Sequence, residues 1–134
     1  MEVDVLLVEK VVLSALLGAL IGYERERAAK PAGLRTHILL SMGATLFTIL
    51  SYEAFPGSDP ARIAANIITG IGFIGAGVII QQERKVVGVT TAASLWITTA
   101  IGMAVGTGYY FLSIVASLIS FIVLRLKFLE PSLE

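Results

Sequence analysis

The chain has 134 residues, of which 56% are hydrophobic and only 15% are charged, and it contains no cysteine. A soluble domain carries roughly a quarter charged residues, so this composition argues against a soluble enzyme or binding module. The formal net charge is zero, which gives no electrostatic reason to expect nucleic acid as a partner. The absence of cysteine excludes disulfides and thiolate metal sites.

Five apolar runs are long enough to cross a membrane, because a spanning helix needs about 20 mostly apolar residues. They cover about residues 3–22, 36–55, 61–81, 89–106 and 109–126. We therefore predict an all-α, polytopic membrane bundle of five helices, with residues 1–134 forming a single domain. The acidic start, MEVD, lacks the positive region of a secretory signal peptide, so no cleaved signal is expected.

Glu9 and Lys10 interrupt the first run. Two interpretations remain open for them. Both residues lie near one membrane interface, with the Lys10 side chain reaching outward, or the first turns of the helix lie along the membrane surface.

Basic residues are distributed unevenly among the loops. Eight of the ten follow the first, third and fifth runs: Arg25, Arg27, Lys30, Arg35, Arg84, Lys85, Arg125 and Lys127. The opposite loops hold only Arg62. Since cytoplasmic loops are enriched in Lys and Arg, we predict that the N-terminus is outside and the C-terminus is in the cytoplasm.

The third run contains TGIGFIGAGVII, a literal G-x-G-x-x-G. A dinucleotide site would need a preceding strand and an acidic residue roughly 20 positions further on. Leu95 lies at that distance, and no acidic residue occurs between Glu83 and Glu130. The glycines therefore indicate close helix packing, and small residues on two faces predict a central third span.

Other runs carry the same small-residue pattern, which predicts a tight bundle and a homo-oligomer. The glycines assigned to helix packing are Gly18 and Gly22 in the first run, Gly70, Gly72, Gly75 and Gly77 in the third, and Gly102 and Gly106 in the fourth. Trp96 lies in the middle of the fourth run, and we predict a core position with a protein partner for its indole N–H.

Polar side chains form stripes along two of the predicted helices. In the second run they are His37, Ser41, Thr45, Thr48 and Tyr52, and in the fourth they are Thr91, Ser94, Thr98 and Gly102. One interpretation is a hydrated path or substrate site. The other is that the hydroxyls bond to backbone carbonyls or across helices. Asn66, whose amide needs several partners in a low-dielectric setting, is open to both.

Asp59 precedes Pro60 at the start of the third run, an arrangement typical of a helix N-cap. The alternative is an outer ion pair or cation site, which would combine Asp59 with Glu53, Arg62, Asn66 and Thr69. A shallow carboxylate site suits Mg²⁺, which keeps several waters.

At the inner side, the sequence YERER provides a charged cluster. We expect Glu24 to pair with Arg35 across the hairpin, and Glu26 and Arg27 to be solvated. With one histidine and no cysteine, a His/Cys metal centre is not available. No nucleophile elbow or phosphate-binding loop is present either, so an enzyme is not expected.

The blocks GALIGYERE, GLRTH, DPARIAANIITGIGFIGAGVI and GVTTAASLWITTAIGMAVGTGYY resemble the membrane domain of the MgtC/SapB family. The resemblance implies a multi-pass protein of a bacterial or archaeal inner membrane, linked to growth at low Mg²⁺. It also implies possible partners in the membrane, the ATP synthase among them, besides lipid. Virulence-associated members carry a cytoplasmic C-terminal domain, whereas this chain stops at Glu134, so the resemblance does not carry over effects that depend on that domain.

The resemblance assigns the family motif to three sets of positions. On the inner side they are Glu24, Arg25, Gly33, Arg35, Thr36 and His37. At the outer start of the third run they are Asp59, Arg62 and Asn66. Along the packed helices they are Gly70, Gly72, Gly75, Gly77, Thr90, Thr91 and Trp96.

Two functions remain open. The first is a non-enzymatic regulator of other membrane proteins, tied to Mg²⁺ homeostasis. The second is a small transporter or channel for Mg²⁺ or another small solute, with the stripe from His37 to Tyr52 lining a path. A polar cavity shared by the second, third and fourth helices would favour transport. The same faces sealed by helix contact would favour the regulator.

Overall fold

The structure is a computed structural model that describes residues 1–82 and 85–126. Five helices and one two-stranded hairpin follow one another along the chain. They are α1 (Glu2–Arg27), α2 (Leu34–Glu53), α3 (Ala61–Gly77), β1 (Ile80–Gln82), β2 (Lys85–Val87), α4 (Val89–Gly106) and α5 (Tyr110–Arg125). By length and composition α1, α2 and α4 can each cross a membrane, while α3 and α5 are shorter apolar helices. The prediction of an all-α, five-helix bundle is confirmed.

The central helix is α2, which lies between α1 and α4. A Cβ atom added to Gly18 of α1 would lie 2.6 Å from the carbonyl oxygen of His37 in α2. On the other side, a Cβ atom at Gly102 of α4 would lie 2.5 Å from the carbonyl oxygen of Ser41. Glycine lets helix backbones approach this closely in a membrane, where packing rather than water expulsion drives association. The three helices α1, α2 and α4 therefore form the core.

The predicted central position of the third span is wrong, because α3 lies at the edge of the bundle. Its buried residues are Ile71 and Gly75. A Cβ atom at Gly70, Gly72 or Gly77 would meet nothing within 4 Å in the described part of the chain. Ile71 belongs to a small buried cluster with Ala32 and Leu95, which attaches α3 to α4 near one end.

The predicted third span of 61–81 is too long. Helix α3 ends at Gly77, and Ile80 then pairs with Val87 in the antiparallel hairpin of β1 and β2. Val78, Ile79 and Ile80 are β-branched, which favours a strand over a helix. Hydropathy does not separate the two structures, since both are apolar.

Helix α1 runs unbroken through Glu9 and Lys10. The Lys10 ammonium donates a 3.0 Å hydrogen bond to the carbonyl of Gly106, the last residue of α4. A cation at a helix C-terminus is favourable because the unpaired carbonyls there carry partial negative charge. This contact favours the first interpretation of Lys10, a side chain that reaches to the end of the bundle.

Antiparallel helices bring the basic residues to one end of the bundle, which we call the basic end. Of the eight residues used to predict orientation, Arg84 and Lys127 lie outside the described residues. The other six flank the inner ends of α1, α2, α4 and α5. That the basic end faces the cytoplasm stays a prediction.

Candidate functional site

The polar stripes of α2 and α4 face each other inside the bundle. The ring nitrogens of His37 lie 2.8 Å from the Gly33 carbonyl oxygen and 3.0 Å from Ser94 Oγ. About two turns further along α2, the Thr45 hydroxyl donates a 2.7 Å hydrogen bond to the Gly102 carbonyl. The His37–Ser94 and Thr45–Gly102 contacts join the two helices directly.

The hydroxyls of Thr48, Ser94 and Thr98 bond to carbonyls of their own helices. Thr48 donates to the Ala44 carbonyl at 2.8 Å, and Thr98 donates to the Ser94 carbonyl at 2.7 Å. Ser94 donates to the Thr91 carbonyl at 2.7 Å. The last residue of the α2 stripe, Tyr52, is exposed rather than buried. The facing stripes are thus closed by helix contact.

Ser41 is the exception, because its buried Oγ has no hydrogen-bond partner among the described residues. Removing an unpaired buried hydroxyl relieves a desolvation cost. We therefore expect Ser41→Ala to leave the free energy of unfolding unchanged or raise it by about 1 kcal/mol. Thr45→Val removes a bond between helices and should cost about 1 kcal/mol.

Unfolding of both variants in mixed micelles, followed by circular dichroism, measures the difference. If Ser41→Ala loses as much stability as Thr45→Val, the Ser41 hydroxyl has a partner after all.

A cavity does exist between α2, α3 and α4, but its lining is apolar. This groove, which we call the α2–α3 groove, has a volume of about 430 Å³. Its walls include Leu39 and Phe47 of α2 and Ile67 and Gly70 of α3. Asn66 also lines it, and its amide donates a 3.1 Å hydrogen bond to the carbonyl of Arg62 on the same helix. The groove therefore lacks the polar stripe expected of an ion path.

At the end of the bundle opposite the basic end, the Asp59 carboxylate caps α3 and accepts a 2.9 Å hydrogen bond from the Ala61 N–H. Glu53, Arg62 and Thr69 are all exposed. No ion pair joins Asp59 or Glu53 to Arg62 within residues 1–82, so of the two interpretations of Asp59 the structure favours the N-cap over the ion pair. Across the described ranges, no three His, Asp or Glu side chains lie together where they could hold a metal ion.

At the basic end, the expected pair of Glu24 with Arg35 is wrong. Glu24 instead forms an ion pair with its neighbour Arg25, whose Nη1 lies 3.4 Å from Glu24 Oε2. The side chains of Glu24 and Arg25 are only 6% and 3% exposed. Arg35 and Thr36 are exposed. This burial could not be read from the sequence, because it depends on which residues the fold packs against the end of α1.

Glu26 has a role that sequence reasoning missed. Its carboxylate accepts a 2.7 Å hydrogen bond from the Leu34 N–H and so caps the first turn of α2. A Cβ atom at Gly33 would meet the end of this flexible carboxylate side chain, so a larger residue there would displace the cap. Glu26 is exposed, as expected of a solvated charge, and in addition it caps α2.

Within the chain, several residues assigned to packing lie on the surface. Trp96 is 57% exposed, so its predicted core position is wrong. It follows Ser94 by two residues and thus lies on the opposite side of α4 from the buried stripe. Thr90 is exposed, whereas Thr91 is buried. Gly75 lies at the α3–α4 contact, where its Cβ would be 3.7 Å from Ala92.

Residues 11–130 match the MgtC family. The chain is 46% identical over 124 residues to YhiD of Escherichia coli (strain K12), a protein provisionally named as a magnesium transporter, covering 87% of this chain and 58% of that protein. It is 47% identical over 104 residues to Protein MgtC of Salmonella typhimurium (strain LT2), covering 78% and 45%. An uncharacterized protein of Haemophilus influenzae is 37% identical over 128 residues, covering 88% and 54%.

The chain thus spans about half the length of the curated relatives it matches. No solved structure matches it. The family match covers α2 to α5 and α1 from residue 11 onward, and three of the five helices are long and apolar enough to cross a membrane. The chain is a multi-pass membrane protein and belongs to the MgtC family.

Proposed function

We propose that the protein is a non-enzymatic regulator of other membrane proteins, linked to Mg²⁺ homeostasis, in the cell inner membrane. One observation carries this proposal: the polar faces of α2 and α4 are sealed against each other, while the open cavity beside them is apolar. An ion path needs polar or charged lining to replace the water that the ion loses. A regulator needs an open surface for a partner.

The α2–α3 groove and the adjoining face of α3 suit a transmembrane helix as partner. The wall residues Leu39, Phe47 and Ile67 offer apolar contact, and Gly70 allows close approach of a second backbone. Phe73 is 84% exposed on α3, which adds a large apolar contact beside the groove. A homo-oligomer, which also stays a proposal, would use this same edge of the bundle.

The link to magnesium comes from the relatives. YhiD carries a provisional name as a magnesium transporter, and the family resemblance implies a role at low Mg²⁺. The chain spans only part of each relative. The link to Mg²⁺ is therefore part of this proposal and does not follow from the relatives' names.

The test combines growth with transport. A strain of the source organism that lacks the gene should grow poorly at limiting Mg²⁺, and the wild-type gene should restore growth. Gly70→Leu fills the α2–α3 groove without meeting a neighbour at its Cβ, so we expect folded protein that no longer restores growth. Ile122→Trp, a change of similar size on the exposed face of α5, should still restore it.

Purified protein in liposomes should give no Mg²⁺ flux above empty liposomes. Flux that is present in the wild type and lost in Asp59→Asn would favour the transporter instead, since asparagine retains the cap and removes only the charge. Growth of the deletion strain equal to the wild type at limiting Mg²⁺ would overturn the magnesium link.

A further inference from the structure

A second cleft lies at the basic end, between the end of α1, β2 and the start of α4. Its volume is about 340 Å³. The lining residues include three cations, Arg25, Lys30 and Lys85, together with Thr90 and Thr91. Among the described residues that line it, none is acidic. We call it the basic cleft, and neither the regulator nor the transporter interpretation makes use of it.

The start of α4 contributes hydrogen-bond donors to the basic cleft. Gly88 adopts a left-handed conformation with φ 94°, and no side chain caps the helix. The first residue with a helical acceptor is Ala92, whose N–H donates to the Gly88 carbonyl. The N–H groups of Val89, Thr90 and Thr91 therefore have no acceptor within the helix. The helix dipole places partial positive charge at these groups.

Arg25 is an independent observation at the same place. Its side chain is 3% exposed and lines the cleft. A guanidinium has five N–H donors, yet the one described bond runs from Nη1 to Glu24 at 3.4 Å. The buried Nε has no partner within the described ranges. A buried donor without a partner costs free energy, which an anion bound in the cleft would recover.

Glu24 is the carboxylate nearest to Arg25, and it balances one of the three cations. Its neighbouring position on α1 gives a poor geometry for pairing, because residues i and i+1 of a helix point in different directions. The Arg25 guanidinium with its unpaired Nε, the Lys85 ammonium and the N-terminus of α4 lie together at the cleft. This combination is the chemistry that binds phosphate groups.

We propose that the basic cleft binds a phosphate group, held by Arg25, Lys85 and the first N–H groups of α4. The source of the phosphate is a lipid headgroup or a free phosphate ion, and both have the same recognition chemistry. The site is independent of the α2–α3 groove, so its test does not depend on the regulator proposal.

The experiment follows thermal unfolding of the full chain in dodecyl maltoside by the fluorescence of its single tryptophan, Trp96. One arm adds inorganic phosphate against sodium chloride of equal ionic strength. The other adds dihexanoyl phosphatidylglycerol against dihexanoyl phosphatidylcholine. We expect a saturable rise of the melting temperature, because a ligand of the folded state stabilises it.

The two arms separate the sources. If phosphate raises the melting temperature and phosphatidylglycerol raises it no further, the site is assigned to the free ion. A rise at phosphatidylglycerol concentrations at least about tenfold lower than those of phosphate assigns it to a lipid headgroup, a factor that corresponds to one additional charge-assisted contact.

Variants test whether the basic cleft is the site. Lys85→Gln and Arg25→Lys should each weaken the apparent Kd about tenfold, the effect of one charge-assisted hydrogen bond. Arg25→Lys keeps the charge beside Glu24 and so retains the fold. Arg35→Gln, an exposed basic residue at the same end that does not line the cleft, should bind as the wild type does. No saturable rise with either probe, or equal rises in wild type and Lys85→Gln, would overturn the proposal.

Discussion

Gly102→Ala should lower the free energy of unfolding by about 1–3 kcal/mol, the usual cost of forcing an extra carbon into a packed core. The new Cβ would lie 2.5 Å from the carbonyl oxygen of Ser41 and 2.9 Å from the Ala44 side chain. Neither neighbour can rotate away, because one is backbone and the other is a methyl group. The helices α2 and α4 must therefore move apart, which also strains the bond from Thr45 to the Gly102 carbonyl.

Gly43→Ala is the matched control, because Gly43 lies in the middle of α2 and its Cβ would meet nothing within 4 Å in the described structure. Alanine is favoured over glycine inside a helix by up to about 1 kcal/mol, so this variant should be as stable as the wild type or more so. Denaturant titrations in mixed micelles compare the three proteins. Equal stability of Gly102→Ala and Gly43→Ala would mean that α2 and α4 do not approach as closely as described.

The number and order of the helices could be predicted from sequence, because hydrocarbon thickness sets the length of an apolar run. Which helix lies in the centre could not be predicted. Small residues on α3 and on the pair α1 and α4 carry the same signal. Gly18 and Gly102 nevertheless lie against α2, whereas a Cβ atom at Gly72 would meet nothing within 4 Å among residues 1–82 and 85–126. A face of small residues indicates that another helix can pack closely against it, but it does not identify which helix does so.

Prediction of the candidate site from sequence has the same limit. Spacing along α2 placed His37, Ser41 and Thr45 on one face, and the structure puts them together against α4. Spacing did not distinguish a hydrated path from direct helix contact, because that depends on the distance between two helices. The burial of Arg25 could not be predicted either, since it depends on which elements pack against the end of α1, and one of the elements that line the cleft beside it, β2, was not predicted.

Arg25→Met should be the most destabilising single change, at about 3–5 kcal/mol. The side chains of Glu24 and Arg25 are 6% and 3% exposed, so removing the guanidinium leaves a carboxylate that is buried and unpaired. The cost comes from that stranded charge rather than from lost attraction, because the pair is held at 3.4 Å by adjacent residues. Replacement of both residues should therefore recover most of the loss, since apolar side chains of similar volume often substitute for a buried ion pair without penalty.

The double variant Glu24→Met/Arg25→Met makes this distinction measurable. Unfolding in mixed micelles should place it within about 1 kcal/mol of the wild type, with Arg25→Met alone far below both. A double variant as unstable as Arg25→Met would show that Arg25 stabilises the fold through contacts other than Glu24. If stability returns in the double variant, the phosphate-dependent rise in melting temperature should still be weakened at least about tenfold, because the guanidinium is absent. The two roles of Arg25 would then be distinguished. Its effect on stability comes from neutralising the buried Glu24 carboxylate, and its unpaired Nε donor serves phosphate binding in the basic cleft.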